Sequence, residues 1–300
     1  MTSTKFVAVD WGTTSFRLWV IGADASIVAS DQEQLGMNTL QQSDYSTVLE
    51  ECLTKLGVGG NIPVVICGMA GAAQGWCEAP YLSAPTPINN LGSDAIKVSG
   101  IERNVWILPG VKQMSPPSVM RGEETQIAGL LQKDKSFEGV VCLPGTHTKW
   151  VSVKQGEIKQ FATCMTGEIF SLLSSTSILR HSMMEDGWNE EAFVTTVQMA
   201  IENAHENAMQ LFELRAETLL GDLSSATARA RLSGLLIGHE LSAARGYWQR
   251  ARIRLIGAPK LAEKYAIALE TQGVSARIEN TEKMTLAGLQ GAFHRIGVLA

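Results

Sequence analysis

Two apolar runs, one near the start of each half of the chain, dominate the hydrophobic pattern. Residues 6–10 read FVAVD and residues 139–143 read GVVCL. Continuous runs of this kind predict strands that are buried on both faces of a sheet. A Gly-Thr turn and a second apolar run follow each one, as expected for an antiparallel neighbour. The two halves therefore share one arrangement, VAVDWGTTSFRLWV and VVCLPGTHTKWVSV.

The rest of the chain mixes short apolar strands with longer helical segments. Further strands are predicted at 26–34, 63–68, 157–163, 252–257 and 274–279. Helices are predicted at 43–56, 123–132, 259–273 and 282–297, and most of 166–246 is expected to be helical. Ser43 is the expected N-cap of the helix at 43–56, and Pro259 lies in the first turn of the helix at 259–273. Segments 83–93 and 109–118 are predicted to be loops, the second as a domain junction.

Length and charge narrow the class of protein. A chain of 300 residues suggests two domains, and 45% apolar residues suffice for a sizeable core. The net charge of −5 gives no basic footprint for nucleic acid. No apolar run reaches membrane-spanning length, and the N-terminus lacks the apolar core of a secretory signal. The five cysteines have no CxxC spacing, so neither a disulfide framework nor a zinc site is expected. We expect a cytoplasmic location.

Both Gly-Thr turns carry the residue types that bind phosphate. Glycine lets the backbone approach a ligand closely, while backbone N–H groups and threonine hydroxyls donate to phosphate oxygens. Asp10 would repel a bare phosphate, but it suits a Mg²⁺ ion held through water. One such turn could be a plain hairpin with a solvated aspartate. Two of them, one per half, favour a phosphate site in a cleft.

The motifs then resemble a known superfamily. DWGTTSFR and LPGTHTKW are similar to the two phosphate loops of the sugar kinase, heat-shock chaperone and actin superfamily, and LIGAPKLAEKYAIAL to its adenosine loop. Within it, GMAGAAQGW, APYLSAP, VMRGEETQ, PGTHTKW, MTGEIF and LSGLLIG resemble the 2-dehydro-3-deoxygalactonokinase family, in order from Val7 to the last helix.

This resemblance implies an α/β fold of two actin-like (ribonuclease H-like) domains, with mixed sheets flanked by helices and an interdomain ATP cleft. The expected domains are residues 1–117 with 283–300 for substrate and first phosphate loop, and residues 118–282 for nucleotide. The implied activity is ATP- and Mg²⁺-dependent phosphorylation of 2-dehydro-3-deoxy-D-galactonate to its 6-phosphate in D-galactonate catabolism.

The resemblance also assigns residues to the nucleotide. Asp10 is the expected Mg²⁺ ligand through water. Arg17 is expected near the transferred phosphate, although it could be a strand residue paired with an acid. His147 either donates to a phosphate oxygen or caps its turn. The predicted phosphate and nucleotide contacts are Gly12, Thr13, Thr14, Arg17, Gly145, Thr146, His147, Thr148, Lys149, Gly257 and Ala258.

The start of the helix at 123 supplies the candidate base. Glu123 follows Gly122, in the order that sugar kinases use for a catalytic carboxylate. Glu124 is the alternative, because successive helix positions point about 100° apart and only one is expected to enter the cleft. Both acids could instead merely suit the helix dipole. Arg121 could pair with one of them or meet the substrate carboxylate, and Glu124 is also a predicted substrate contact.

The remaining predicted substrate contacts are Gln74 with sugar hydroxyls and Trp76 with the carbon chain. A glycine-rich turn with a buried tryptophan explains the same segment without function. Two alternatives stay open for the whole chain: a kinase for another sugar or sugar acid, and a non-kinase actin-like ATPase switch. A small-molecule partner is expected, with neither nucleic acid nor membrane, and a homo-oligomer is left open.

Overall fold

The computed structural model describes residues 4–221 and 223–299, which form two compact units. The first unit comprises residues 4–137, 154–160 and 281–299. The second comprises residues 138–153, 161–221 and 223–280. Each unit contains a mixed sheet flanked by helices, so the predicted fold class is confirmed. The predicted functional domains, with boundaries at 117/118 and 282/283, stay a prediction, and their residues 1–3, 222 and 300 lie outside the described residues.

The strands are numbered along the chain. They are β1 (Thr4–Trp11), β2 (Phe16–Gly22), β3 (Ile27–Glu33), β4 (Val64–Gly68), β5 (Tyr81–Ser83), β6 (Thr86–Pro87), β7 (Ile96–Lys97), β8 (Val105–Ile107), β9 (Gly110–Met114), β10 (Pro117–Met120), β11 (Gly139–Leu143), β12 (Thr148–Lys154), β13 (Glu157–Cys164), β14 (Ile253–Ile256) and β15 (Ala276–Glu279).

The α-helices are α1 (Asp44–Lys55), α2 (Glu123–Lys133), α3 (Thr166–Ser175), α4 (Glu190–Glu202), α5 (Asn207–Leu220), α6 (Ser225–Ala243), α7 (Arg245–Trp248), α8 (Pro259–Glu270) and α9 (Thr281–Leu299). Single 3-10 turns occur at Met37–Thr39, Met69–Gly71, Ile88–Asn90, Ile178–Ser182 and Ala204–Glu206. Among the described helices, none is both long and apolar enough to cross a membrane.

β1 lies inside the main sheet of the first unit, whose order is β3-β2-β1-β4-β8-β7. It pairs with β2 antiparallel and with β4 parallel. Val7, Val9 and Trp11 pack in the core that includes α1, whereas Phe6 and Ala8 pack in the core that includes α9. The strand is therefore buried on both faces, as its sequence predicts. Strands β10, β9 and β5 form a second, smaller sheet in this unit.

Two helices of the first unit pack with their backbones in close contact. A Cβ atom added to Gly129 of α2 would lie 1.8 Å from the carbonyl oxygen of Met284 in α9. A Cβ atom added to Gly288 of α9 would lie 2.0 Å from the carbonyl oxygen of Thr125 in α2. No larger residue fits at either position without moving the helices apart, so this crossing fixes α2 against α9.

The sheet of the second unit has the order β15-β14-β11-β12-β13. β11 pairs with β12 antiparallel and with β14 parallel. Helices α4, α6 and α8 bury apolar side chains against this sheet, including Phe193, Ile237 and Tyr265. The tip of the β12–β13 hairpin belongs to the first unit, where β6 continues the strand order next to β13.

One local prediction is wrong, and a second is confirmed in position only, because Ser43 is the N-cap residue of α1 but lacks the usual hydrogen bond. Segments 83–93 and 109–118, which were expected to be loops, contain β6, a 3-10 turn, β9 and half of β10. Their prolines lie at the ends of short strands, where a missing N–H is tolerated. Ser43 does precede α1, but its hydroxyl donates to Asp44 Oδ1 at 3.2 Å and makes no capping hydrogen bond.

Candidate active site

Asp10 stands near the end of β1, beside the first Gly-Thr turn. It lies opposite Arg17 in the β1–β2 register, and Nη2 of Arg17 donates a hydrogen bond to Asp10 Oδ2. The side chain of Asp10 is 13% exposed, and that of Arg17 is 29% exposed. Arg17 is thus paired with an acid in this structure, which agrees with the alternative that it is a strand residue in an ion pair. Its contact with a phosphate stays a prediction.

The turn itself is closed by a hydrogen bond from the backbone N–H of Gly12 to the carbonyl oxygen of Ser15, at 2.8 Å. The carbonyl oxygens of Gly12 and Thr13 accept from residues 37 and 38, at 3.1 and 2.9 Å. Thr13 and Thr14 are exposed. The backbone carbonyls are therefore occupied, while both threonine side chains face solvent.

The residues around Asp10 limit how a metal ion could bind. Among residues 4–221 and 223–299, no group of three or more His, Cys, Asp or Glu side chains could hold one. Mg²⁺ is commonly bound in proteins by one or two carboxylates together with phosphate oxygens and water. Asp10 fits this pattern when a nucleotide supplies the phosphates, so Asp10 is a suitable water-mediated ligand for such a complex.

Asp10 also lies close to the start of α2. A Cβ atom added to Gly68, at the end of β4, would lie 3.4 Å from Asp10 Oδ1. A Cβ atom added to Gly122 would lie 3.4 Å from the Cα of Gly68. Gly122 has φ = +107°, which side chains rarely tolerate, so glycine lets the chain turn into α2 here. The candidate metal ligand and the candidate base therefore lie on elements that meet at Gly68.

The two carboxylates of the first turn of α2 have different surroundings. The N–H of Gly122 donates to both oxygens of Glu124 at 2.8 Å, and the N–H of Arg121 donates to Glu123 Oε2 at 3.0 Å. Glu124 is 1% exposed, whereas Glu123 is partly exposed. Burial, and then the charge of Glu123, raise the pKa of Glu124 to about 7. Glu123 is thus the more accessible of the two.

Arg121 connects the start of α2 to the segment after GMAGAAQGW. Its Nη2 donates to the carbonyl oxygen of Ala79 at 2.8 Å, and its guanidinium carbon lies 4.2 Å from the centre of the Tyr81 ring. The side chain is 8% exposed, and within the described residues its Nε and Nη1 have no hydrogen-bond partner. Its charge acts to lower the pKa of Glu124. The structure therefore places a buried cation next to the two carboxylates.

Gln74 and Trp76 lie on the same segment but differ in exposure. Gln74 is exposed. Trp76 is 7% exposed and packs in the core, with its ring centre 6.2 Å from that of Trp11 and 6.0 Å from that of Tyr45. The structure thus gives Trp76 a packing role, which agrees with the alternative of a glycine-rich turn followed by a buried tryptophan. Contacts of Gln74 and Trp76 with a sugar stay predictions.

The second Gly-Thr turn joins β11 to β12 in the second unit. Thr146 and His147 are exposed, but Thr148 is fully buried and Lys149 is 4% exposed. Thr148 Oγ1 shares a hydrogen bond with the hydroxyl of Tyr265 at 3.0 Å. Lys149 Nζ donates to the carbonyl oxygen of His147 at 3.1 Å. Of this turn, therefore, Thr146 and His147 present their side chains to solvent.

The start of α3 packs against this turn. The N–H of Glu168 donates to the carbonyl oxygen of Thr146 at 3.0 Å, and the Glu168 side chain contacts His147 Nε2 at 2.5 Å. The N-cap of α3 is Met165, and Thr166 is the first helical residue. The MTGEIF motif therefore meets the PGTHTKW motif in space.

A cavity of about 280 Å³ opens beside this turn within the second unit. Its wall combines residues of the turn and of the start of α3 with mostly apolar residues of α3, α6 and α8. The lining residues are Gly145, Thr146, Thr166, Gly167, Phe170, Ser233, Leu236, Ile237, Leu261, Lys264 and Tyr265. A largely apolar cavity with a few polar groups is the usual form of a small-molecule site.

Gly257 and Ala258 follow β14, which is parallel to β11, so they leave the sheet at the same edge as the second turn. Ala258 is the N-cap of α8, and Pro259 is in its first turn as predicted. Neither residue is among those that line the cavity. Instead α8 contributes Leu261, Lys264 and Tyr265, which the sequence reasoning did not single out.

Another residue that the sequence reasoning missed is Glu240, in α6. It is 4% exposed and accepts hydrogen bonds from Trp150, Thr166 and Tyr265. Burial raises its pKa, and these hydrogen bonds act to lower it. A lone acid within the apolar stretch LSGLLIGHEL was the available signal, because an unpaired carboxylate is rarely buried in a helix.

Comparison with known proteins adds a family to this geometry. Residues 10–292 match the model of the family described as 2-keto-3-deoxy-galactonokinase. A protein of Rhizobium meliloti (strain 1021), described as a probable 2-dehydro-3-deoxygalactonokinase, is 38% identical over 98% of both chains. The 2-dehydro-3-deoxygalactonokinase of Escherichia coli (strain K12) is 32% identical over 98% of this chain and 99% of its own.

A solved structure is similar throughout. It is a crystal structure from Sinorhizobium meliloti, of a protein provisionally named 2-dehydro-3-deoxygalactonokinase. The TM-score is 0.92 at 37% identity, and the match covers 97% of this chain and 99% of the other.

Proposed function

This chain belongs to the 2-keto-3-deoxy-galactonokinase family, and from that premise we propose that it transfers the γ-phosphoryl group of ATP to O6 of 2-dehydro-3-deoxy-D-galactonate. It is a sugar-acid kinase, and membership of a kinase family implies that it uses ATP. The observation that supports the assignment of residues is the meeting of Asp10, Gly68 and Gly122 in the first unit. It brings a candidate Mg²⁺ ligand close to the helix start that carries two carboxylates.

Phosphoryl transfer to an alcohol requires charge neutralisation, positioning and a proton acceptor. Mg²⁺, when bound with ATP, would neutralise phosphate charge, and Asp10 would hold it through water. Thr13 and Thr14 would donate to phosphate oxygens with the N–H groups of their turn, and Arg17 would add a positive charge while keeping Asp10 oriented.

Glu123 is our candidate for the base that accepts the proton from the substrate hydroxyl. Its partial exposure supports this role, because a base must come within hydrogen-bond reach of the proton that it removes. Glu124 is the alternative. Its pKa of about 7 would suit a base, but both its oxygens accept from Gly122 N–H and its side chain is shielded from solvent. We assign Glu124 to holding the first turn of α2.

Arg121 is our candidate for recognition of the substrate carboxylate. A buried guanidinium with unfilled donors favours an anion nearby. The backbone N–H of Arg121 donates to the Glu123 carboxylate at 3.0 Å, so the residue that carries the guanidinium is in direct contact with the candidate base. Gln74 would donate to sugar hydroxyls at the exposed side of this region.

The nucleotide is proposed to bind in the cavity of the second unit. Its apolar wall suits an adenine ring, and Gly145 and Thr146 at its edge suit the phosphates. His147, whose Nε2 contacts Glu168, would donate to a phosphate oxygen from Nδ1 when both ring nitrogens carry a proton. Gly257 and Ala258 would act through the position of α8, and Thr148 and Lys149 through the shape of the turn. A cytoplasmic location and assembly into a homo-oligomer stay predictions.

The test is substrate selection by the purified protein with ATP and Mg²⁺. We expect 2-dehydro-3-deoxygalactonate to be phosphorylated at O6, as seen by NMR of the product. Galactose and glycerol, which lack the carboxylate, should react at least about tenfold less efficiently, since a charge-assisted contact contributes about 1.5–3 kcal/mol. Equal rates with a neutral sugar, or phosphate on another oxygen, would contradict the assignment.

A further inference from the structure

The carboxylate of Glu240 joins four elements of the second unit. Its Oε1 accepts from the indole N–H of Trp150 in β12 at 2.8 Å. Its Oε2 accepts from the hydroxyl of Tyr265 in α8 at 2.7 Å and from the hydroxyl of Thr166 at the start of α3. Tyr265 in turn shares a hydrogen bond with Thr148, the first residue of β12, at 3.0 Å. One side chain of α6 thus contacts β12, α3 and α8.

The donor pattern fits a carboxylate better than a carboxylic acid. An indole N–H can only donate, so it requires an acceptor at Oε1. Two hydroxyls face Oε2, and an ionised oxygen accepts from both, whereas a protonated oxygen would need an acceptor for its own hydrogen. Tyr265 then donates to Glu240 and accepts from Thr148, which fixes the direction of every hydroxyl in the chain. An amide at position 240 would reverse this order, because its NH₂ group would face both hydroxyls.

The residues that Glu240 holds also shape the cavity. Thr166 and Tyr265 line it, whereas Glu240 does not. Burying a carboxylate costs several kcal/mol, and an apolar side chain of similar volume usually stabilises a fold as well or better. Folding alone therefore gives little reason for an acid at this place. Fixing the positions of two residues that line the cavity gives a specific one.

We propose that Glu240 is a positioning residue for nucleotide binding: through Thr166 and Tyr265 it sets the polar wall of the cavity, without touching the nucleotide. This inference rests on the proposed function, because it takes the cavity as the nucleotide site. The proposal predicts an effect on nucleotide binding alone. Loss of the carboxylate weakens binding of ATP and leaves binding of the sugar acid unchanged.

The experiment compares Glu240→Gln with Glu50→Gln, a matched change in the first unit. Glu50 also accepts hydrogen bonds at both oxygens, from Arg103 at 2.6 and 2.8 Å. We expect Glu240→Gln to raise KM for ATP and the dissociation constant of ADP about tenfold. The values of kcat and of KM for the sugar acid should stay within about twofold. Glu50→Gln should lower the melting temperature without changing KM for ATP.

A purely structural Glu240 would give a different result. Glu240→Gln would then lower the melting temperature, as Glu50→Gln does, while KM for ATP stayed within about twofold of wild type, and the inference would be overturned. If the Gln variant does not fold, Glu240→Asp keeps the charge and withdraws it by one methylene. We expect that variant to raise KM for ATP about threefold, and an unchanged KM would again overturn the inference.

A cavity variant separates this inference from the proposed function. Ser233 lines the cavity, and Ser233→Leu would place an isobutyl group inside it. Weak ADP binding in Ser233→Leu together with normal binding in Glu240→Gln would overturn only the positioning role. Normal ADP binding in Ser233→Leu would overturn the nucleotide site itself, and the role of Glu240 would be lost with it.

Discussion

We expect the stability of Glu124→Gln, measured relative to wild type, to increase as the pH rises. The folded structure raises the pKa of Glu124 from its ordinary value of 4.5 to about 7, mainly by burial. The stability that accompanies a raised carboxyl pKa is fully present below about pH 4.5 and is lost as the pH rises through about 7. Glutamine keeps the shape and one acceptor for Gly122 N–H but never ionises.

The size of the effect follows from the shift. A change of one pKa unit corresponds to about 1.4 kcal/mol, so the shift of Glu124 corresponds to about 3 kcal/mol between the two ends of this pH range. For a unit of this length, such a free energy changes the melting temperature by on the order of 5–10 °C. The Gln variant should therefore gain several degrees over wild type between about pH 5 and about pH 8.

The measurement is thermal unfolding of both proteins across that pH range. Glu50→Gln serves as a control of opposite sign, because Arg103 lowers the pKa of Glu50. Wild type should be more stable than that variant near neutral pH and should lose the advantage as acid protonates Glu50. A melting-temperature difference between Glu124→Gln and wild type that is the same at pH 5 and pH 8 would refute the reasoning.

Two further predictions concern catalysis. Glu123→Gln keeps the shape and removes the proton acceptor, so turnover should fall roughly 10²–10⁴-fold with ADP affinity little changed. Glu124→Gln should lower turnover less, and the reverse ranking in steady-state assays would move the base to Glu124. Asp10→Asn should lower turnover by several orders of magnitude, each tenfold being about 1.4 kcal/mol, while circular dichroism shows an intact fold; near-normal turnover at limiting Mg²⁺ would exclude Asp10 as the metal ligand.

The strands and the family were accessible from sequence because their signals are local. FVAVD and GVVCL are continuous apolar runs, and the structure buries them as β1 and β11. The predicted family is confirmed by the family model and by relatives that match along nearly the whole chain. The short strands β6, β9 and β10 were missed because prolines lie at or beside their ends, and because β6 pairs with β13 and β9 with β5, which are not adjacent to them in the chain.

The site could be predicted only in part, because exposure and pairing are tertiary properties. Adjacent acids at 123 and 124 are equivalent in sequence, and only the packing around α2 buries one of them. Trp76 follows a glycine-rich turn in either case, and its stacking with Tyr45 decides that it belongs to the core. Glu240 lies about 75 residues from Thr166, so no spacing rule connects the two.

The close crossing of α2 and α9 has a consequence for the order of events during synthesis. Some 150 residues separate the end of α2 from the start of α9. At translation rates of about 5–20 residues per second, roughly 7–30 s pass between them on the ribosome. Throughout that interval α2 has been made but its glycine face has no partner. A nascent chain therefore completes the first phosphate hairpin early, whereas the helix that carries Glu123 is packed against its partner only after α9 has been made.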